Sequence, residues 1–428
     1  MGKWKIYTPE GVQDILFEEC FLKRNLEETI RKMFRSCGYY EIETPAIEFY
    51  DAFSADGDMT PQEMMFKFFD EQGRILVLRP DMTIPVARVA ATKYKGVQYP
   101  LKISYIGNAF RYNEMGGGKQ KEFTQAGVEI IGISNPEADA EVIATAIKAM
   151  EAAGIRDFQI DIGQVEFFKG LMKEAGLLAQ DVEQMRIQID RKDFLGIEEL
   201  LAGHSDIPEA LKELILKLPS LFGTIDVIDT AESIAVNKRS LDALANLRSV
   251  LEIIEDYGLS SYVSIDLGMV QSLNYYTGII FRGFTYGLGF PLLSGGRYDG
   301  LIEKFGMKCP ATGFSIGINM AMTALERQKA DVEKPGVETL VCYMEDGRKT
   351  AFKICSMLRK QDTTVEMDIS LRGIDKAVEY AKSKGIGGII RVMDNEVIEL
   401  YNIKTGEVAK TSLSKLAGRY QTDSMSGL

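Results

Sequence analysis

With 62 acidic and 50 basic side chains among 428 residues, the chain carries a formal net charge of −12 and a single histidine, His204. That acidic balance argues against a broad electrostatic surface for nucleic acid, and one imidazole excludes histidine-based triads and histidine-rich metal sites. Five scattered cysteines (Cys20, Cys37, Cys309, Cys342, Cys355) without a C-x-x-C pair, no apolar run of membrane-spanning length and no secretory leader are what a cytoplasmic, non-membrane globular protein is expected to have.

Phe21, Leu22, Leu26, Ile30, Met33 and Phe34 recur at helical spacing and predict a helix over 17–37, ended by Gly38. The alternating "YYEIETPAIEF" predicts a strand, with Pro45 suited to an edge or an end. "MMFKFFDEQGRILVLRP" predicts a hairpin about Asp-Glu-Gln-Gly, and a helix starts near Thr83 with Pro85 in its first turn. "LKISYIGNAFRYNE" and "EFTQAGVEIIGI" predict a strand pair around the tip "MGGGKQ". The "GGGK" in that tip lacks the spacing and Ser/Thr of a phosphate loop, and a strand follows it where a helix N-terminus is required, so a plain hairpin tip is expected. Pro136 and Gly154 bound a helix over 135–153, and "FQIDIG" predicts another strand.

From about 164 to 258 the period is helical throughout ("GIEELLAG", "ALKELILKL", "LDALANLRSVLEIIEDYG"), which predicts a helical insertion within a sheet domain. The sheet resumes in "YVSIDLG", "YYTGIIFRGF" and "FPLLSGGRYDGLIEKFG", and "ATGFSIGINMAMTALER" passes from strand to helix. Residues 328–336, closed by Pro335 and Gly336, read as a linker. Beyond it β- and α-type segments alternate, predicting a small α/β domain over 337–428 after a core of 1–327.

Glu129 is an acid inside the apolar strand "AGVEIIG", costly unless paired or at an edge. Gln125, four residues earlier, falls on the same sheet face. Tyr275 and Tyr276 read as strand aromatics, one of which faces a ligand if there is one. Asp81 is either a pocket acid or an acid at a helix start, and Arg297 is either an ion-pair partner or a ligand contact.

The order "LRPDMT", "FRYNEMGGGKQKEFTQAGVEIIG", "NYYTG", "LSGGRYDGL" resembles the signatures of histidyl-tRNA synthetase over essentially the whole chain, and "YEIETP" is similar to the class II dimer-interface motif. The resemblance implies an α+β fold: a class II aminoacyl-tRNA synthetase-like antiparallel sheet flanked by helices, the helical insertion, and a C-terminal α/β domain similar to an anticodon-binding domain. It implies a homodimer through the "YEIETP" region and neither a cofactor nor a metal. It also implies an amino-acid pocket. Asp81, Thr83 and Gln125 match positions that hold the α-amino group, and Glu129 and Tyr276 match those that read the imidazole, with Tyr275 beside them. Arg111 and Gln271 complete the expected histidine-binding set.

The departures from the enzyme concern charge. Adenylation builds negative charge at phosphorus and needs placed cations. The enzymes' arginine before "DYYTG" is here Gln271, and the acid is Asn274. Their closing Gly-Leu-Glu-Arg is Gly317-Ile318-Asn319-Met320, and past Arg111 stand Asn113 and Glu114. One phosphoryl-clamping arginine is worth about 10³–10⁵ in rate, so the resemblance implies a protein without adenylation, while Gln271 keeps a neutral donor for a carboxylate. "TPEGVQD", "RPDMTIPVAR", "YYTGIIFRG" and "PATGFSIG" resemble the regulatory subunits of ATP phosphoribosyltransferase, in histidine biosynthesis, more closely than the enzyme. That implies a non-catalytic protein that binds L-histidine and allosterically controls a short-form catalytic subunit within a hetero-oligomer. A histidine–tRNA ligase is the alternative; an RNA-binding regulator, disfavoured by the acidic balance, is a third reading.

Overall fold

The computed structural model describes residues 6–54, 61–112, 120–235, 237–270, 275–331 and 334–416. The first helix, α1 (Phe17–Ser36), buries Leu26, Ile30 and Phe34 along one face. It ends as predicted. Gly38 takes φ 82°, Gly38 N–H donates to Arg35 O at 3.0 Å and Tyr39 N–H to Phe34 O at 3.2 Å. This paired closure satisfies carbonyls the helix would leave open, and it needs a left-handed residue that glycine supplies. The same face also buries Lys23 with Glu27, paired at 2.5 Å.

The run after α1 is not one strand. Tyr40–Glu41 forms β1, the chain turns at Thr44-Pro45, and Ile47–Phe49 forms β2 in a different sheet. The physical reason is Arg79, 6% exposed. Its guanidinium donates to Thr44 O at 2.5 Å and to Asn108 O at 2.7 Å, so the corner wraps a buried cation instead of pairing. After the short α2 (Asp51–Ser54) come β3 (Lys67–Phe69) and β4 (Ile75–Leu78), which complete a three-stranded sheet in the order β2-β4-β3. Asp70 closes the predicted hairpin, accepting from Gln72 N and Arg74 N at 2.9 Å each.

Helix α3 (Thr83–Lys93) precedes the long pair β5 (Leu101–Phe110) and β6 (Glu122–Ile131), followed by α4 (Pro136–Ala152) and β7 (Phe158–Gln164). Asn135 caps α4 through Ala138 N. The insertion then runs α5 (Val165–Glu174), α6 (Ala179–Asp190), α7 (Phe194–Ala202), α8 (Glu209–Lys217), α9 (Asp226–Ile234) and α10 (Lys238–Asp256). It is not wholly helical: Phe222–Gly223, β8, pairs with the strand after the insertion, β9 (Val263–Asp266). β10 (Ile279–Thr285), β11 (Leu293–Arg297), β12 (Ala311–Gly317) and α11 (Ile318–Arg327) finish the core.

Nine strands form the main sheet in the order β1-β5-β6-β12-β11-β10-β7-β9-β8. The pairings from β5 through β7 are antiparallel, whereas β1–β5 and β7–β9 are parallel, so the sheet is mixed at its flanks. Ala126, Val128 and Ile130 of β6 join one large core with α1 and α4 residues such as Ile30 and Ile143. The opposite face of β6 is thereby left to Gln125, Gly127 and Glu129.

The chain forms two compact units, Met1–Val332 and Glu333–Leu428. The second holds β13 (Thr339–Tyr343), α12 (Arg348–Arg359), β14 (Val365–Met367), α13 (Ile374–Lys384), β15 (Gly388–Val392), β16 (Ile398–Asn402) and β17 (Val408–Thr411). Its sheet order is β14-β13-β15-β16-β17. Separate apolar clusters lie on its two faces, one with α12 residues such as Ile354 and one with α13 residues such as Ala377.

Candidate functional site

Strand register builds the site. On β6, Gln125, Gly127 and Glu129 alternate onto one face; on β12, Gly317, Ser315 and Gly313 stand opposite them in that order. Gln125 Nε2 donates to Ser315 Oγ at 3.3 Å, and its Oε1 is buried without a partner. Glu129 is 1% exposed. Each of its oxygens accepts from a different tyrosine: Oε2 from Tyr298 at 2.5 Å and Oε1 from Tyr105 at 3.2 Å. Burial pushes its carboxyl up to about 8; the Tyr298, Thr83 and Tyr105 hydroxyls pull it back, and nearby Asp81 pushes it further.

Asp81 lies just ahead of α3, where its Oδ1 accepts from Ile84 N at 3.0 Å. Desolvation raises its pKa; the Ile84 N–H and the Arg111 charge oppose that rise. Arg111 Nε donates to Pro80 O at 2.9 Å, and its guanidinium lies 5.2 Å from the centroid of the Phe123 ring.

Tyr275 stacks on Tyr298 with centroids 5.4 Å apart and meets Tyr276 edge-on at 4.7 Å. The expectation that only one of the adjacent tyrosines faces the ligand is corrected. Both line the cavity, because they precede β10 and strand alternation does not govern them.

Asp81, Thr83, Arg111, Gln125, Glu129, Tyr275 and Tyr276 all line one cavity of about 380 Å³. Seven of the eight residues read from the sequence thus converge from α3, β5–β6 and the segment before β10. The eighth, Gln271, lies outside the described residues, as do Asn274, Asn113, Glu114 and the "GGGK" tip. Arg297 takes no part. It is 5% exposed, pairs with Asp139 at 3.0 Å and donates to Ile133 O at 3.0 Å, which is the ion-pair alternative. His204 lies 3.7 Å from Asp181 in the insertion.

Two residues escaped the sequence reading. Tyr298 stands inside the quoted "GGRYDG", where only the arginine drew notice. Tyr105 pairs in register with Gly127, a large residue across from an absent side chain, and that pairing was its one signal.

Met320 of α11 also lines the cavity, with an uncharged thioether. Its neighbour Asn319 is committed to the scaffold: Oδ1 accepts from Thr124 N and Nδ2 donates to Gln120 Oε1, both at 2.9 Å. The cavity therefore offers a carboxyl among tyrosines at one place, a second acid at Asp81, and a guanidinium at Arg111. That set suits a flat ring bearing N–H donors, an ammonium and a carboxylate. Among the described residues no group of three His, Cys, Asp or Glu could hold a metal ion, and no helix is long and apolar enough to cross a membrane.

Comparison with known proteins identifies the family and the fold. The histidyl-tRNA synthetase family model matches residues 11–321. A protein of Acetivibrio thermocellus named ATP phosphoribosyltransferase regulatory subunit is 68% identical over 97% of this chain and 99% of its own. One of the same name from Ruminiclostridium cellulolyticum is 57% identical over the same shares. A crystal structure from Bacillus halodurans C, described as an ATP phosphoribosyltransferase regulatory subunit/histidyl-tRNA synthetase, superposes with a TM-score of 0.81 at 32% identity, covering 92% of this chain and 99% of that one.

Proposed function

The chain belongs to the ATP phosphoribosyltransferase regulatory subunits, on the histidyl-tRNA synthetase fold, and from that premise we propose that its cavity binds free L-histidine and controls a separate short-form catalytic subunit. The observation that carries the reading is the Glu129 carboxyl, buried at the cavity wall with a tyrosine hydroxyl on each oxygen. An imidazole N–H donates to that carboxyl, the α-ammonium sits against Asp81, and Arg111 takes the carboxylate. Gln271 is assigned the same carboxylate from sequence.

The protein performs no adenylation of its own. Met320 lines the cavity without charge, and Asn319 spends both polar atoms on Thr124 and Gln120. Control of the partner is linkage: histidine favours one state of the assembly, and a coupling of roughly 1–3 kcal/mol gives useful feedback inhibition. A homodimer is favoured by Ile47, Phe49 and Phe69, which are exposed on the three-stranded sheet next to the "YEIETP" corner. Its free cysteines suit the cytoplasm.

Calorimetry with L-histidine, together with histidine-dependent ATP–pyrophosphate exchange, tests the reading. Binding without exchange supports it. Robust exchange makes the protein a ligase instead, and absence of binding removes the assignment of the cavity.

A further inference from the structure

A glutamate carboxyl is loosely oriented by its own chain. Its terminal torsion joins a tetrahedral to a trigonal carbon and is broad and roughly two-fold. One hydrogen bond leaves the plane free to rotate about that contact; donors on both oxygens fix it. At Glu129 the Tyr105 hydroxyl, on a side chain 1% exposed on β5, reaches Oε1 at 3.2 Å while Tyr298 holds Oε2, with the Thr83 hydroxyl also close to the carboxyl. Tyr105 reaches that position because its register partner is Gly127: a Cβ there would overlap the Tyr105 hydroxyl. The hydroxyl thus occupies a notch between β5 and β12, behind the carboxyl. Tyr105 is not among the residues lining the cavity.

We propose that Tyr105 is a positioning residue for ligand recognition, acting through Glu129: its hydroxyl, seated over Gly127, locks the carboxyl plane that the ligand ring meets. This rests on the histidine reading for the identity of the ligand, but the geometry holds for any ring N–H donor. The groups facing Glu129 are Tyr105 from β5, Thr83 and Asp81 at the start of α3, Tyr298 after β11, and Tyr275 and Tyr276 before β10.

Tyr105→Phe keeps the ring and removes only the hydroxyl. Calorimetry with L-histidine reads affinity across pH, and ¹³C NMR of labelled glutamate reads the Glu129 carboxyl in the ligand-free protein. The proposal expects affinity to fall about tenfold, the worth of one hydrogen bond to a charged group. It also expects the Glu129 titration to move further up, because a donor that favours the ionised form is gone. Gly127→Ala, whose Cβ would overlap the Tyr105 hydroxyl and also Phe314 O, is expected to move both readouts the same way.

A lowered melting temperature with unchanged affinity and unchanged Glu129 titration makes Tyr105 an ordinary core tyrosine and overturns the proposal. If the wild-type protein binds no histidine, the ligand assignment falls while the NMR titration still decides the role of Tyr105.

Discussion

Glu129 on β6 and Gly313 on β12 stand opposite each other in register, and the Glu129 carboxyl fills the volume that a side chain at 313 would take. The buried carboxyl is therefore housed by a missing side chain on the neighbouring strand. A Cβ at 313 would overlap Oε2 and also press on Val128 O.

Gly313→Ala is accordingly expected to destabilise the fold by roughly 1–3 kcal/mol, as overpacking does, and to weaken histidine binding more than tenfold. Urea denaturation and calorimetry on the same preparation separate the two effects. Wild-type affinity in the variant refutes the housing argument.

Histidine affinity should be highest between about pH 6.5 and 8. A free imidazole titrates near 6.5, and Glu129 titrates at about 8. Between those values the pocket brings one proton and the ligand none, and the bound pair keeps that one. Below the window a proton must leave on binding; above it one must be taken up. Each limb costs about tenfold per pH unit. Calorimetry from pH 5.5 to 9.5 measures this, and Glu129→Gln should abolish the alkaline limb due to the carboxyl.

Glu129 should also tie stability to pH. Its folded-state pKa of about 8 lies above the ordinary 4.5. The folded protein therefore holds more protons than the unfolded chain between those values, so stability falls as pH rises through that window. Glu129→Gln should remove this slope, leaving the variant relatively more stable at pH 9 than wild type. Equal pH dependence in the two proteins contradicts the buried, protonated carboxyl.

Adding one cation should not create an enzyme. Met320→Arg is expected to leave ATP–pyrophosphate exchange at background, because Asn319 remains tied to Thr124 and Gln120 and the sequence still holds Gln271 and Glu114. Measurable exchange in this variant shows that a single charge separates regulator from ligase.

Local signals were legible. The closure of α1 at Gly38, the Asp70 turn and the shared face of Gln125 and Glu129 all follow from near neighbours and strand period. What escaped depends on distant partners. The corner at Pro45 is organised by Arg79, whose other acceptor, Asn108 O, belongs to β5. Tyr105 comes from the predicted partner strand but reaches Glu129 only through the register that sets it over Gly127, and Tyr298 reaches it from just past β11, two strands away in the sheet order. β8 is two residues long, too short to carry any period. The buried Lys23–Glu27 pair likewise runs against the apolar face that names its helix. The seven expected residues that line the cavity were marked by a family motif; spacing alone left Tyr275 and Asp81 ambiguous.

The path of the chain through the main sheet has a practical consequence. β7 precedes the insertion, yet its two neighbours, β10 and β9, both follow it, and β6 is likewise paired to β12. A protease nick in the turn at 203–206, between α7 and α8, would leave two fragments whose strands interleave. Neither piece can depart without stripping a ladder of backbone hydrogen bonds from the other. The halves expressed separately should reassemble into a ligand-binding whole, and gel filtration of the mixture would report that complementation directly.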